Sequence, residues 1–396
     1  MSEDTIVIVS AARTAQGAFQ GELSAMPAYD LGAAAIKAAV ERAGLSAEAV
    51  EDVIMGCVLP AGQGQAPARQ ATLGAGLPIS TGATTINKMC GSGMKAVMFA
   101  HDLLLAGSSS VMVAGGMESM SNAPYLLDKA RGGYRMGHGK VADSMFLDGL
   151  EDAYDRGKLM GFFADDTAQS LQITREDQDN FALESLARAQ RAQKDGDFNG
   201  EIIPVTLKTR QGEVTITEDE GPKTARPEKI PQLRPAFNPD GTVTAANASS
   251  ISDGAAALVL MRRSEADKRG LKILAEIKGH AFHAQKPAEF TLAPIGATQK
   301  LLENVGWAAN DVDLYEVNEA FALVTLAAMR QLSLPHEKVN INGGACSLGH
   351  PIGASGARII VTLLAALEKH GLTRGVASLC IGGGEATAIA VERIAA

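Results

Sequence analysis

Apolar residues follow two different spacings along both ends of the chain. The N-terminal run TIVIVSAAR is rich in β-branched residues, which is typical of a buried strand. The run LGAAAIKAAVERAG that follows repeats its apolar residues at helical spacing, and Gly44 stands where the helix should end. Because strands alternate with helices in this way, the pattern predicts an α/β fold.

Two stretches of the sequence share one order of predicted elements. The first is TTINKMCGSGMKAVMFAHDLLLAGSSSVMVAGGMES, and the second is VNINGGACSLGHPIGASGARIIVTLLAALEKHGLTRGVASLCIGGGEA. Each reads as a strand, a Gly-rich turn, an apolar helix ended by Gly107 or Gly371, and a β-branched strand that runs into more glycines. Two duplicated halves would explain this likeness, although two Gly-rich βαβ units can also resemble each other through shared physics.

The sequence between these stretches has a different texture. Over residues 121–250, glycine, proline and charged residues punctuate short segments such as RGGYRMGHGK. The part around Lys223 and Arg226 is basic within an acidic protein. We interpret the region as an inserted loop domain that handles the substrate. The alternative is a set of solvated surface loops, which charge runs usually form.

Length and charge narrow the class of protein. The 396 residues exceed the roughly 250–300 at which a single core stops growing, so more than one packed unit is expected. The predicted division is an N-terminal half, an inserted domain and a C-terminal half, formed respectively by residues 1–120 plus 251–272, residues 121–250 and residues 273–396. The formal net charge of −9 argues against partners such as nucleic acid or an anionic membrane.

The sequence also predicts where the protein resides. The N-terminus carries acidic residues and a short apolar run, which is unlike a secretory signal. No stretch approaches the roughly 18 apolar residues of a membrane helix. We therefore expect a cytoplasmic protein whose cysteines, Cys57, Cys90, Cys346 and Cys380, are thiols.

Cys90 is the first candidate for chemistry. It stands in NKMCGSGMKAV, directly before a predicted helix with a glycine-rich first turn. Free backbone N–H groups and the helix dipole at such a position stabilise a thiolate, and glycines let a substrate carbonyl approach. The alternative is a buried structural cysteine, which is the commoner role of a free thiol.

His350 and Cys380 are the next candidates. Glycines and a proline surround His350 in GGACSLGHPIGASGAR and predict a loop at the end of a strand. A histidine beside a thiol would take its proton and form an ion pair, whereas the alternative is a satisfied core histidine. Cys380 ends the strand GVASLC and precedes IGGG, where a second thiol could exchange a proton with a substrate carbon. In the same run, Gly382 could offer its N–H to an oxyanion.

Asn318 is a further candidate, and the motifs missing from the sequence limit which ligands the site could bind. Asn318, in LYEVNEAFALVTLAAM, could orient a water or simply cap the helix that follows it. Paired Cys/His ligand spacings, a phosphate-binding GxxxxGK[ST] and a dinucleotide fingerprint are all missing from the sequence. We therefore expect no metal and no bound cofactor.

Taken together, several motifs resemble those of the thiolase family over the whole chain and in the family's order. They are NKMCGSGMKAV, GGMESMSNAPY, VTAANASSISDGAAA, EVNEAFA, GGACSLGHPIGASGAR and LCIGGG. The resemblance implies a five-layer αβαβα fold of two similar halves with an inserted loop domain. The segment RMGHGKVADSMFLDGLEDAY is similar to the central loop of the family's biosynthetic acetyl-CoA C-acetyltransferase branch.

The resemblance also implies a role for each candidate. Cys90 would be acylated by the first acyl-CoA, with His350 as its base, and Cys380 would deprotonate the methyl carbon of the second acetyl-CoA. Asn318 would hold a water that binds one thioester oxygen together with His350. The backbone N–H groups of Cys90 and Gly382 would bind the other thioester oxygen.

Further residues of the substrate site follow from the resemblance alone. Ser249 matches a position that contacts pantetheine, and Met160 and Phe321, with the neighbouring Ala320, match the acyl pocket. Lys223 and Arg226 are candidates for the phosphates of coenzyme A. The implied substrates are acetyl-CoA, acetoacetyl-CoA and CoA, and the implied assembly is a homotetramer made of two dimers.

The chain departs from the family pattern at three places. Glu385 and Ala386 stand where glutamine or methionine and then glycine are frequent, and a carboxylate facing Cys380 would disfavour its thiolate. FTLAP, residues 290–294, replaces a segment that commonly reads MGxGP, and Leu159 replaces a frequent histidine. The leading hypothesis is reversible condensation of two acetyl-CoA. The alternatives are a degradative 3-ketoacyl-CoA thiolase of broader chain length and a non-catalytic acyl-CoA or lipid carrier.

Overall fold

The elements follow the predicted alternation of strands and helices. The computed structural model describes residues 4–210 and 212–394. Within that part of the chain the strands are β1 (Ile6–Thr14), β2 (Gly17–Ala18), β3 (Asp52–Gly56), β4 (Gly82–Ile86), β5 (Val111–Ser119), β6 (Tyr125–Leu126), β7 (Ala142–Asp143), β8 (Ile202–Ile203), β9 (Val205–Thr209), β10 (Gly212–Ile216), β11 (Ser252–Arg262), β12 (Ala275–Ala284), β13 (Leu314–Val317), β14 (Arg374–Ile381) and β15 (Glu385–Glu392).

The helices connect these strands in both halves. The α-helices are α1 (Ala28–Arg42), α2 (Pro67–Gly74), α3 (Ser92–Ala106), α4 (Met160–Ser170), α5 (Arg175–Lys194), α6 (Glu220–Thr224), α7 (Arg263–Arg269), α8 (Ala293–Val305), α9 (Ala322–Leu332), α10 (Ala345–Leu348) and α11 (Ser355–Lys369). Short 3₁₀ helices lie at Ala47–Ala49, Met120–Asn122, Pro227–Gln232, Pro287–Leu292, Ala309–Asp311 and His336–Lys338, and a π-helical turn lies at Phe146–Leu150. The helix predicted before Gly44 is α1, and Gly44 has a φ of +69° that lets the chain turn there.

The sheet topology shows the duplication directly. In the first half the order is β1, β11, β5, β3, β4, with antiparallel pairs up to β5 and parallel pairs beyond it. In the second half the order is β12, β15, β14, β13, again antiparallel up to β14 and then parallel. An isolated parallel bridge from Tyr315 to Val339 stands where β4 stands in the first half. The prediction of two related halves is confirmed.

Helices cover and separate the two half-sheets. α1 and α2 pack on the outer face of the first half-sheet, and α8 and α9 pack on the outer face of the second. α3 and α11 lie between the half-sheets, where Met94 and Val97 of α3 share one buried cluster with Ile360 and Leu363 of α11. The five-layer αβαβα prediction is therefore confirmed. Burial between layers supplies the main driving force for holding the halves together.

The segment between β5 and β11 contains more regular structure than its sequence suggested. We expected short punctuated segments, but α5 runs for 20 residues from a capping box in which Thr174 and Asp177 bond to each other's backbone. The boundaries of the three predicted domains stay a prediction. The observed connection is that this segment leaves the first half after Ser119 and returns at Ser252.

A buried ion network fastens this segment to β1. The Arg13 guanidinium donates to Glu201 at 2.6 Å and to both carboxylate oxygens of Asp219 at 2.7 and 2.9 Å, and all three side chains are almost fully buried. Two carboxylates around one guanidinium satisfy donors that would otherwise be costly to bury. The network thus holds the segment between β5 and β11 against the first half-sheet.

Candidate active site

A cavity of about 560 Å³ collects most of the predicted site residues. Its lining combines residues of both halves and of the segment between them, including Cys90, Met160, Ser249, Ala320, Phe321, His350, Cys380 and Gly382. Within the segment, Ser249 donates its N–H to the Ala320 carbonyl at 2.9 Å, so these two residues form one part of the wall. The rest of the lining is mainly apolar, with Phe146, Leu150 and Phe290 among its members. This arrangement suits a ligand with a short apolar group.

Cys90 lies just before α3, as its sequence context predicted. Met89 has a φ of +47°, an unusual value for a side-chain-bearing residue, and this turn directs the chain into the helix at Ser92. Burial raises the pKa of the Cys90 thiol to about 11, although the backbone N–H groups of Gly382 and of Cys90 itself both donate to the sulfur. Two N–H donors beside the sulfur could also bind an oxyanion that forms on an attached acyl group.

His350 lies in the loop between α10 and α11, not at the end of a strand as predicted. Its Nδ1 lies 2.6 Å from the Ser355 hydroxyl, and that hydroxyl lies 3.0 Å from the Pro351 carbonyl. Because a carbonyl can only accept, the hydroxyl donates to Pro351 and accepts from Nδ1–H. This assignment leaves Nε2 unprotonated. Among the described residues Nε2 has no hydrogen-bond partner, and it is therefore free to act as a base.

The expected resting ion pair between Cys90 and His350 is not supported by the structure. Burial lowers the pKa of His350 to about 3, with Arg358 adding to this effect, whereas burial raises the pKa of Cys90. Both shifts favour the neutral forms, because a charged group in this enclosed site loses its hydration. Proton transfer from Cys90 to His350 would then accompany attack on the substrate rather than precede it.

Cys380 occupies the end of β14, as predicted. Its side chain is buried, and its pKa lies well above the ordinary value, first because of burial and then because of the nearby Cys90. Because a charged Cys90 raises the cost of charging Cys380, the two thiols cannot readily both be thiolates. They are therefore suited to act one after the other.

Asn318 contacts His350 and does not cap the following helix. α9 begins at Ala322 with Phe321 in the capping position and without a side-chain cap. The Asn318 amide nitrogen lies 3.5 Å from His350 Nδ1, and its amide oxygen has no partner among the described residues. A buried amide oxygen without a donor is costly, so it is a natural acceptor for a bound water or ligand.

Glu118, near the end of β5 in the GGMES motif, is a buried residue of the site that the sequence analysis did not predict. Its carboxylate accepts the N–H groups of Val58 at 2.9 Å, Leu59 at 3.1 Å and Gly353 at 2.9 Å. Burial still raises its pKa to about 7. Glu118 thereby ties the loop after β3 to the loop that carries His350. A charged residue ending an apolar strand was the signal that could have identified it.

The departures from the family pattern all lie at or near the cavity. Glu385 forms an ion pair with Lys88 at 2.5 Å, so its charge is compensated instead of bearing on Cys380. Ala386 is buried in β15. Leu159 and Phe290 line the cavity with apolar surface. The end of the FTLAP segment forms the start of α8, where Pro294 occupies one of the first two helical positions.

Lys223 and Arg226 lie outside the cavity lining. Both are exposed, and Lys223 pairs with Glu22 at 3.0 Å. Their contact with coenzyme A phosphates stays a prediction. The other two cysteines have packing roles: Cys57 is buried, and Cys346 donates to the Asn247 and Glu319 carbonyls at 3.6 and 3.7 Å.

One group of side chains in the described part of the chain could hold a metal ion. The donor atoms of His101, Asp102 and His280 lie within 4.8 Å of one another. Asp102 already pairs with both imidazole rings, at 3.0 and 2.9 Å, and none of the three residues lines the cavity. The sequence motifs did not suggest this group, because its members come from α3 and β12.

Family models match nearly the whole chain. The model described as the thiolase N-terminal domain covers residues 6–264, and the one described as the thiolase C-terminal domain covers residues 271–393. In the described residues, every helix is too short or too polar to cross a membrane.

Known proteins similar to this chain carry consistent names. An acetyl-CoA acetyltransferase of Escherichia coli is 52% identical over 98% of this chain and 99% of its own length. A mitochondrial acetyl-CoA acetyltransferase of Bos taurus is 50% identical over 98% of this chain and 92% of its own length. Both relatives extend over both halves and the segment between them.

Solved structures agree with the sequence relatives. The Acat5 thiolase of Ascaris suum, crystallised with coenzyme A, superimposes with a TM-score of 0.94 at 42% identity, covering 98% of this chain and 100% of that one. An acetyl-CoA acetyltransferase of Bacillus anthracis gives a TM-score of 0.96 at 41% identity, covering 99% of each chain. The chain belongs to the thiolase family and is an acyltransferase.

Proposed function

We propose that the protein catalyses the reversible condensation of two acetyl-CoA into acetoacetyl-CoA and CoA, with Cys90, His350, Cys380, Asn318 and Gly382 as its active site. The observation that carries the proposal is that a single cavity contains two thiols and one imidazole nitrogen without a hydrogen-bond partner in the described part of the chain. Relatives that are 50% and 52% identical to this chain are named acetyl-CoA acetyltransferases, which supports acetyl-CoA as the substrate.

The first half-reaction transfers an acetyl group to Cys90. As the sulfur attacks the thioester carbonyl, its proton passes to His350 Nε2, and the Nδ1–H bond to Ser355 stabilises the imidazolium that forms. The C–S bond to coenzyme A then breaks, and the leaving thiolate takes the proton of Cys380, which leaves a Cys380 thiolate beside the protonated His350. The base role of His350 depends on the tautomer that Ser355 sets, because only that tautomer presents a lone pair at Nε2.

The second half-reaction forms the carbon–carbon bond. The Cys380 thiolate formed in the first half-reaction removes a proton from the methyl carbon of the second acetyl-CoA, and the carbanion attacks the acetyl-Cys90 carbonyl. The oxyanion that develops is bound by the N–H groups of Cys90 and Gly382, which already point at the Cys90 sulfur. Collapse expels the Cys90 sulfur, which takes its proton back from His350, and releases acetoacetyl-CoA. The thioester oxygen of the second substrate would be held by His350 and a water on Asn318.

These steps require no metal and no bound cofactor, because coenzyme A thioesters enter as substrates. Ser249, Met160, Ala320 and Phe321 would contact the pantetheine and acyl groups, since all four line the cavity. The phosphates of coenzyme A would be met by Lys223 or Arg226, which are exposed basic residues.

The apolar lining favours one second candidate, a degradative 3-ketoacyl-CoA thiolase that accepts longer chains. Leu159 and Phe290 add apolar surface to the lining at two places where the chain departs from the family pattern. A series of 3-ketoacyl-CoA substrates of increasing length separates the two functions. Activity that is retained on long chains would favour the degradative function.

The test of the main proposal is CoA-dependent cleavage of acetoacetyl-CoA by the purified protein. Cys90→Ser and Cys380→Ser should each lower turnover by at least about 10²-fold, because each removes a nucleophile or an acid–base group. Cys346→Ser is the matched control, since serine keeps a donor toward both carbonyls, and it should retain activity. Binding of CoA without any wild-type turnover would instead support the non-catalytic carrier.

A homotetrameric assembly and a cytoplasmic location complete the proposal. Strand β4 leaves one edge of the main sheet open for a second copy, and the exposed segment that contains Tyr134 and Met136 could join two dimers. Free thiols at Cys57, Cys90, Cys346 and Cys380 suit a reducing compartment. Sedimentation of a monomer at micromolar concentration would contradict the assembly, and cell fractionation tests the location.

A further inference from the structure

The turn that carries the Gly382 N–H has little conformational preference of its own. It consists of three consecutive glycines between β14 and β15, and Gly383 and Gly384 have φ values of +97° and +89°. Glycine populates many backbone conformations, so a run of three does not fix the direction of an N–H group. The placement of this donor must therefore come from contacts at the ends of the turn.

Two contacts hold the C-terminal end of the turn. The Gly384 carbonyl accepts the N–H of Gln285 at 2.8 Å, which anchors the turn to the chain just after β12. The next residue, Glu385, pairs with the Lys88 ammonium at 2.5 Å. Lys88 lies 297 residues away in sequence and belongs to the other half. The ion pair thus joins the two halves next to the site.

Lys88 also belongs to the segment that positions Cys90. Its N–H donates to the Ser92 hydroxyl at 2.8 Å, and Met89, between Lys88 and Cys90, has the positive φ described above. Such a conformation persists only where neighbouring contacts determine it. The Lys88 side chain is therefore placed to hold both the Cys90 turn and the Gly382 turn.

The two turns also touch directly through Gly91 and Ile381. A Cβ added to Gly91 would lie 2.4 Å from Ile381 Cδ1, so the start of α3 packs against the end of β14 without room for a side chain. This contact sets how closely the turns approach, but an apolar contact does not fix their rotation about it. The Lys88–Glu385 ion pair is a second contact between the same two segments, and two separate contacts restrict such a rotation.

We propose that the Lys88–Glu385 ion pair is a positioning contact that holds the Gly382 N–H in line with the Cys90 sulfur. Neither side chain lines the cavity, so both are positioning residues and not catalytic ones. Their effect on turnover rests on the proposed function, whereas their effect on the Cys90 sulfur does not. The side chains are 22% and 34% exposed, so the pair is partly shielded from water.

The variants Lys88→Met and Glu385→Gln separate positioning from simple electrostatics. Loss of a cation near Cys90 would disfavour its thiolate, and loss of an anion would favour it. A pure charge effect would therefore lower the reactivity of the Cys90 sulfur in Lys88→Met and raise it in Glu385→Gln. Loss of positioning would lower the reactivity of the Cys90 sulfur in both variants. Glu118 and Cys380 also act electrostatically with Cys90, His350 shares its cavity, and Lys95 faces the ion pair, but these residues are the same in both variants.

Two measurements on the full-length protein test the proposal. The first is the rate at which iodoacetamide alkylates Cys90 at pH 8, followed by mass spectrometry of the Cys90 peptide. The second is kcat and KM for acetoacetyl-CoA cleavage. We expect both variants to be alkylated several-fold more slowly and to lose roughly five- to fifty-fold in kcat with KM nearly unchanged, less than the roughly 10²–10³-fold loss for complete removal of an oxyanion donor.

The double variant and a charge exchange complete the test. Lys88→Met combined with Glu385→Gln should be no worse than the poorer single variant, because the same contact is lost once. Lys88→Glu combined with Glu385→Lys should regain part of the lost rate. The exposed pair of Lys272 with Glu368 provides the control, and Lys272→Met should change neither measurement.

The measurements test the positioning role and the proposed function separately. Opposite shifts of the two single variants, or alkylation rates equal to wild type in both, would overturn the positioning role. A wild-type protein without turnover, whose Cys90 alkylation nevertheless slows in both variants, would refute the proposed function and leave the positioning role intact.

Discussion

The hydrogen bond from His350 to Ser355 makes the strongest single prediction of this structure. Ser355→Ala removes the acceptor that lies 2.6 Å from Nδ1 and adds no bulk. The buried Nδ1–H is then left with the Asn318 amide nitrogen at 3.5 Å, which is itself a donor and cannot accept it. The imidazole therefore loses the contact that selects the tautomer with a free Nε2.

The size of the effect follows from the burial of the ring. Both His350 and Ser355 are almost completely buried, so water does not replace the missing acceptor. Leaving a buried donor unsatisfied costs about 1–3 kcal/mol. If that cost falls on the reactive state, in which the imidazolium needs Nδ1–H to be bonded, kcat falls by roughly 5- to 150-fold.

Steady-state cleavage of acetoacetyl-CoA measures this loss, with thermal denaturation as the test of folding. We expect kcat to fall while KM and the melting temperature change little. Thr362→Val is a matched control, because it removes another buried hydroxyl of α11, one that bonds to Glu201 and not to His350. A Ser355→Ala enzyme whose kcat lies within twofold of wild type would refute the assigned role of Ser355.

Three further predictions concern stability. Arg13→Met should lower the free energy of unfolding in urea by about 3–5 kcal/mol, because it leaves two buried carboxylates unpaired, whereas the exposed control Lys37→Met should change it by less than about 0.5 kcal/mol. Burial lowers the pKa of His350 from 6.5 to about 3. Its contribution to the free energy of unfolding is therefore complete above pH 6.5 and is lost as the pH falls toward 3, because only the unfolded state then binds the proton. Wild type should lose about 2 kcal/mol more than His350→Gln between pH 7 and pH 5 in the same urea measurement, and equal losses would contradict the burial argument. Gly116→Ala would place a Cβ 2.0 Å from the Gly353 carbonyl oxygen, and we expect this clash to cost about 2 kcal/mol or more of stability. A melting temperature equal to that of wild type would contradict this close contact.

Much of the fold was predictable because its signals are local. Strand and helix periodicity identified β1 and α1, and the shared order of elements around Cys90 and Cys380 indicated the duplication. The position of Cys90 before α3 was also predictable, since a Gly-rich run followed by apolar residues is short in sequence. The capping box at the start of α5 was equally local and could have been used to predict that helix.

The electrostatics of the site could not be predicted from local sequence. A thiol before a helix suggested a stabilised thiolate, but burial by residues from distant segments outweighs the N–H groups that favour the charge. Glu118 illustrates the same limit, because its partners Val58 and Gly353 lie 60 and 235 residues away. Contacts of this kind depend on how the two halves meet, which no periodicity reveals.

The central helical layer has a consequence for how the chain could be divided. α3 from the first half and α11 from the second are buried against each other, while the connection between the halves passes through Gly270, an exposed residue with a φ of +65°. A cut at this connection would break the chain without opening the core. The two fragments would remain one particle, with Cys90 on one polypeptide and His350 and Cys380 on the other, and the enzyme could be assembled from two separately made pieces.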